Sequence, residues 1–208
     1  MILIGQYDSP FVRRVGIALV LYGFEYEHRP WSTFGDADRI AVHNPLRRVP
    51  TLVLDDGEVL LESGAILDYL DELVGPGRAL VADSGSLRRQ TLKVCALATG
   101  LADKAVSLIY ERVLHSEASR TWVERCQMQI DAALTTLEAD RCSRSGSYWF
   151  GVSIGHADIA VACAVRLLRE VHPQLYLEER LPALTEHSKR CEALAAFRTV
   201  SQRFVPPK

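Results

Sequence analysis

Ser9-Pro10, Arg47-Arg48-Val49-Pro50 and Glu62-Ser63 are the short stretches of this sequence whose residue types could do chemistry. Ser9-Pro10 reads as the start of a helix, because serine caps free backbone N–H groups and proline suits the first helical position. The same hydroxyl, at the positive end of a helix, could instead serve a ligand, and the residues alone leave both roles open. Glu62-Ser63 poses the same choice. Ser63 is expected as a plain N-cap. The sharper alternative is that the helix end and the hydroxyl bind a carboxylate while Glu62 holds an ammonium group. A carboxylate and an ammonium together describe the α-amino-acid end of a ligand. Pro50 cannot donate to a sheet ladder, so it belongs at a strand start or edge. Were the Val49–Pro50 bond cis, the Val49 backbone N–H and C=O would face outward, free to pair with a peptide-like ligand. Only about 5–6% of X–Pro bonds in folded proteins are cis, so the residues alone favour trans.

The elements that must position these residues are short and mixed up to about residue 76. Residues 2–4 read as a strand, 11–22 as a helix, 25–29 as a second strand and 33–43 as an irregular or helical piece. Thr51-Leu52-Val53-Leu54, the turn Asp55-Asp56-Gly57 and Glu58-Val59-Leu60-Leu61 read as a hairpin. A helix opening at Ser63 carries Ile66, Leu67, Leu70 and Val74 on one side. The predicted order is βαβαββα. Gly75-Pro76-Gly77 and Asp83-Ser84-Gly85-Ser86 then break the pattern. Beyond them the periodicity is helical: 87–115, 117–140 with Trp122, Cys126, Ile130, Leu134 and Leu137 in step, a helix from about His156, and shorter helices between 182 and 204. The expected division is an α/β domain over 1–76, a linker over 77–86 and an all-helical domain over 87–208.

The bulk composition narrows the class of function. With 208 residues, 48% hydrophobic and 24% charged, the chain can bury a substantial core. A net charge of −2 gives no electrostatic case for nucleic-acid or membrane-surface binding. No segment approaches the roughly 20 uninterrupted apolar residues of a membrane span, and no signal peptide is apparent. Five cysteines, scattered and without a C-x-x-C pair, suggest reduced thiols in a cytoplasm and neither a disulfide framework nor a metal site.

Four motifs occur in order along essentially the whole chain: Ser9-Pro10-Phe11-Val12-Arg13, Asn44-Pro45-Leu46-Arg47-Arg48-Val49-Pro50, Glu62-Ser63 and Gly155-His156-Ala157-Asp158-Ile159. With them the chain resembles the cytosolic glutathione transferases, in the bacterial form with serine at the active-site position. The resemblance implies a thioredoxin-like N-terminal domain, a helical C-terminal domain, a homodimer, and glutathione as co-substrate with no permanently bound cofactor. It implies that Val49, after a cis Pro50, pairs with the cysteinyl part of glutathione through its backbone. Glu62 and Ser63 would then hold the γ-glutamyl amino and carboxylate groups. Arg48 becomes a candidate for the glycine carboxylate, with a solvated surface arginine as the alternative.

Ser9 stands where relatives carry a catalytic serine or cysteine, and its hydroxyl would donate to the glutathione thiolate. Tyr7 is the runner-up, since some classes use a tyrosine near the end of the first strand. No cysteine precedes residue 95, which argues against thiol-transfer chemistry through a mixed disulfide. Gly155 at the N-cap and Asp158 at N3 of a helix are structural; glycine replaces the family's usual Ser or Thr, and His156 is expected as an exposed first-turn residue. The second substrate is expected in an apolar pocket between the domains, with Trp31 and Tyr110 as candidates, although either could be core. The function expected is attack of the glutathione thiolate on a small electrophile. A glutathione-dependent isomerase and a non-catalytic binding module are the alternatives.

Overall fold

Four three-residue strands give the N-terminal region its sheet, apolar in Ile2–Ile4 and Val59–Leu61, mostly apolar in Thr51–Val53 and polar at the edge strand Glu27-His28-Arg29. Ile2–Ile4 (β1) is central, with Glu27–Arg29 (β2) parallel to it on one side and Thr51–Val53 (β3) antiparallel on the other; Val59–Leu61 (β4) pairs antiparallel with β3. The order across the sheet is β2-β1-β3-β4. Helix α1, Pro10–Tyr22, follows β1; the short helix α2, Ala37–Ala41, follows β2; helix α3, Ser63–Val74, follows β4. The βαβαββα order expected from the sequence is therefore the order observed, and the arrangement is thioredoxin-like. The computed structural model describes residues 1–206.

α1 and α3 cover one face of the sheet, where Leu3, Val15, Leu19, Leu52, Ile66 and Leu70 are buried together. On the other face α2 contributes Ile40 to a smaller cluster with Ile4 and Val53. α1 stops at Gly23, whose φ of 75° lets its N–H turn back to the Leu19 and Val20 carbonyls.

Four helices build the other unit: α4 Gly85–Leu114, α5 Arg120–Cys142, α6 His156–Val171 and α7 Pro182–Glu192. Along α6 the buried positions include Ala157, Ala160, Ala162 and Ala164, small residues that let α4 and α7 pack closely against it. The predicted stripe on α5 is buried at Cys126, Ile130, Leu134 and Leu137, while Trp122 lies at its edge, 36% exposed, under the Lys104 ammonium. Among the described residues no helix is long and apolar enough to cross a membrane.

Three details differ from the sequence reading. α3 begins at Ser63 itself, so Glu62 and not Ser63 occupies the N-cap position. His156 is buried, not exposed. The chain divides into Ser84–Ala193 and a unit formed by residues 1–83 with the segment from Leu194 onward, so that the last short helix α8, Ala195–Thr199, groups with the sheet and not with residues 87–193. The physical reason is Arg13 of α1, which donates from Nε to the Val200 carbonyl at 2.8 Å and from Nη2 to the Phe197 carbonyl at 3.0 Å.

Candidate active site

The first turn of α1 sets the site's starting point. Ser9 is its N-cap, half-buried, and its Oγ accepts the Val12 N–H at 3.4 Å. Capping uses a lone pair and leaves the hydroxyl proton available to donate elsewhere. No acidic residue occupies the first turn, so the positive end of this 13-residue helix is not neutralised by its own side chains.

Beside this turn lies the loop before β3. Asn44, 2% exposed, holds it with a single amide: Nδ2 donates to the Arg48 carbonyl at 2.8 Å and to Thr51 Oγ1 at 3.1 Å, and Oδ1 accepts the Leu46 N–H at 3.0 Å. The Val49–Pro50 bond at the end of this loop is cis. Val49 reaches α1 across Gly5, where a side chain would not fit: a Cβ there would stand 2.7 Å from Val49 Cβ and 2.5 Å from Val12 Cγ2. Gly5 therefore brings the Val49 backbone next to the first turn of α1. Among the described residues no hydrogen bond uses the Val49 N–H or C=O. Arg47 is paired with Asp38 at 3.2 Å, whereas the exposed Arg48 side chain has no ion-pair partner among the described residues.

The N-terminus of α3 supplies the third part. Glu62 is exposed and sits at φ 71°, ψ 127°, a conformation that costs a non-glycine residue about 1–3 kcal/mol. Next to it Ser63, 2% exposed, accepts from Arg14 Nη1 at 3.5 Å. Arg14 was not singled out by sequence reasoning. It lies on α1, four residues beyond Pro10, and is 7% exposed. Its Nε has no hydrogen-bond partner, and no carboxylate is paired with it among the described residues. A buried guanidinium without a counter-ion is strongly unfavourable unless an anion completes it. α3 carries no acidic residue in its first turn either. Arg14, the Ser63 hydroxyl and the end of α3 thus bring together donors and positive charge of the kind that can hold a carboxylate. The signal that could have located Arg14 is its helical face: it falls in line with Pro10 and Ala18, both buried.

Tyr7 is engaged on every side: its hydroxyl pairs with the Tyr26 hydroxyl at 2.8 Å, and its ring stacks on His28 at 3.8 Å. Gly16 makes room for that ring, since a Cβ there would come within 2.9 Å of Tyr7 Cε1. Burial, reinforced by the bond to Tyr26, pushes the Tyr7 phenol well above its ordinary range. Trp31 packs on the Ile4, Ile40 and Val53 cluster, stacks on His43 at 6.2 Å and lies beneath the Arg29 guanidinium. Tyr110 is half-buried on α4.

Gly155 is the N-cap of α6, and Asp158 Oδ2 accepts its N–H at 2.8 Å while Oδ1 accepts the Trp149 N–H at 2.7 Å. Burial raises the Asp158 carboxyl to about 6, against the pull of those N–H donors toward the anion. His187 Nε2 lies 3.5 Å from Asp158 Oδ1, and burial, with Arg141 nearby, lowers that imidazole to about 4. Among the described residues no three His, Cys, Asp or Glu side chains gather where they could hold a metal ion.

Residues 3–78 match the family model described as glutathione S-transferase, N-terminal domain, and residues 120–190 match that of the C-terminal domain. An uncharacterised GST-like protein of Escherichia coli K12 is 30% identical over 179 residues, covering 83% of this chain and 85% of its own. The maleylacetoacetate isomerase of Pseudomonas aeruginosa is 32% identical over 191 residues, covering 86% and 82%. A crystal structure of a glutathione S-transferase from Methylobacterium radiotolerans, in complex with glutathione sulfonate, superposes with a TM-score of 0.89 at 27% identity, covering 98% of this chain and 97% of that one.

Proposed function

The chain belongs to the glutathione S-transferase family, and from that premise we propose that it binds glutathione around the first turn of α1 and activates its thiol. The observation that carries the reading is Arg14: a buried cation without a counter-ion, beside Ser63 and the end of α3, suits the γ-glutamyl carboxylate. Glu62, exposed next to it, takes the α-ammonium group. The Val49 N–H and C=O pair with the cysteinyl peptide, and Arg48 reaches the glycine carboxylate. This lays the thiol beside Ser9.

The Ser9 hydroxyl then donates to the sulfur while its oxygen keeps the Val12 N–H, so one residue caps the helix and stabilises the thiolate. The thiol proton leaves to solvent. The sulfur forms its bond to an electrophilic carbon, and a halide departs or an activated alkene takes up a proton. Ser9 is favoured over Tyr7 because the Tyr7 hydroxyl is already paired and its ring is held in the packing. Trp31 is assigned to packing, and Tyr110 stays the candidate for the second-substrate pocket. A homodimer acting in a reducing cytoplasm fits the family, and none of the five cysteines is joined in a disulfide among the described residues.

A second reading has its own support. The isomerase from P. aeruginosa is among the relatives with identity above 30%, and an isomerase working through a reversible glutathione adduct uses the same thiolate. Titration of glutathione with ultraviolet detection of bound thiolate tests the step both share. The wild type is expected to show thiolate near neutral pH. Ser9→Ala is expected to bind glutathione but hold its thiol protonated, with turnover lower by about tenfold to a hundredfold. Equal thiolate in both proteins would remove Ser9 from the mechanism. A chloro-nitroaromatic and a cis-enedioate substrate then separate transferase from isomerase.

A further inference from the structure

The loop that carries Ser9 is fastened from far along the sequence. Gly5-Gln6-Tyr7-Asp8 leads into α1 through a turn closed by the Ser9 N–H on the Gln6 carbonyl at 3.2 Å. Inside that turn the Tyr7 N–H donates to Gln202 Oε1 at 3.1 Å, and Asp8 Oδ2 accepts the Val205 N–H at 3.0 Å. The segment making these bonds has a firm base. Val200 is 0% exposed and seats against Gly16, where a Cβ would come within 2.9 Å of Val200 Cγ1. Arg13, 2% exposed, binds the Val200 and Phe197 carbonyls and lies 5.4 Å over the Phe197 ring. Arg13 is four residues beyond Ser9 on α1. The path Ser9, α1, Arg13, residues 197–205 and the 6–8 loop therefore closes on itself.

We propose that the segment 201–205 sets the position of the Ser9 hydroxyl, with Gln202 as a positioning residue for thiol activation. The inference rests on the reading that Ser9 donates to the glutathione thiolate. Its chemistry has two parts. Gln202 satisfies the Tyr7 N–H inside the turn, and so fixes the backbone that aims Ser9. Asp8 directly precedes the N-cap, and a carboxylate there is drawn to the free N–H groups at the start of α1. The Val205 N–H holds it toward the returning segment, so the positive end of α1 is kept for the thiolate.

The test is the pH titration of glutathione bound to the wild type, Gln202→Leu, Gln202→Glu, Val205→Pro and Ser9→Ala, read by thiolate absorbance. Gln202→Leu removes the acceptor at similar size. Val205→Pro removes the donor to Asp8, on a side chain that is 49% exposed, and so tests the hold of the 201–205 segment on the loop if Gln202→Leu does not fold, with Gln202→Glu testing the acceptor. Gln202→Leu and Val205→Pro are both expected to bind glutathione within about twofold of wild type. Their bound thiol should titrate higher, leaving about threefold to tenfold less thiolate near pH 6.5 and little difference near pH 9. Gln202→Glu, which keeps an acceptor, should bring the titration back toward wild type. Wild-type titration curves in both Gln202→Leu and Val205→Pro, with Ser9→Ala showing its loss, would overturn the positioning role. An unchanged Ser9→Ala would instead mark the failure of the Ser9 reading, and the positioning role with it.

Discussion

On the proposed reading, Arg14 is a cost to the empty protein and an asset to the occupied one. Its guanidinium is 7% exposed with one long bond, to Ser63 Oγ at 3.5 Å. Replacing a buried unpaired charge by an apolar residue of similar length is often neutral or stabilising. Arg14→Leu is therefore expected to leave the melting temperature unchanged or raise it. Its dissociation constant for glutathione should rise at least about tenfold, the equivalent of 1.4 kcal/mol. Calorimetric titration with glutathione and with cysteinylglycine checks this, because only the first carries the γ-glutamyl carboxylate. Equal glutathione affinity in the two proteins would remove Arg14 from the site. Ser9, Val49, Glu62 and Ser63 could be proposed from the sequence because the motifs that hold them resemble those of the family. Arg14 could not, because Arg13-Arg14 reads as a pair of surface charges. Only the packing of α1, against α3 at Arg14 and against residues 197–200 at Arg13, shows that both arginines are buried and that they serve different partners.

At the scale of elements, the order of strands and helices was readable from apolar runs and turn residues, with Gly, Pro or Asp marking boundaries such as Gly5, Pro10, Gly23, Pro50 and Gly75. The start of α3 was not. Which residue caps a helix depends on backbone angles, and the strand-to-helix corner forces Glu62 to φ 71°. Capping preference alone points to Ser63. Nor did the residues themselves point to a cis Val49–Pro50 bond; the expectation came only from the resemblance. The strained corner makes a prediction at this scale. Glu62→Gly relieves an unfavourable backbone conformation and should stabilise the protein by up to about 1 kcal/mol. It should also weaken glutathione binding, because the carboxylate that meets the ammonium group is gone. Chemical denaturation and calorimetry on the same variant would read the two effects; a loss of stability would mean that the Glu62 side chain supports the fold.

For the whole molecule, a pair within the helical unit contributes two opposed terms to the pH dependence of stability. Asp158, raised to about 6, holds its proton more tightly folded than unfolded, so its contribution favours the fold at low pH and is lost as pH rises through 6. His187, lowered from 6.5 to about 4, does the reverse: its contribution is present above 6.5 and lost as pH falls toward 4. The two windows overlap and oppose, so the pair flattens the pH dependence of stability. Asp158→Asn leaves the histidine unopposed. Between pH 6.5 and 4 the variant should lose about 2 kcal/mol more than wild type, read from the fluorescence of Trp149, whose ring lies 5.3 Å from that of His187. Parallel stability curves would show that the pair does not titrate as described. The return of residues 197–205 to α1, through Arg13, Tyr7 and Asp8, has a consequence for biosynthesis. Domains usually fold as they leave the ribosome, the first-made first. Here residues 1–83 are completed by residues 197–205, which are synthesised only after the helical unit that lies between them in the sequence.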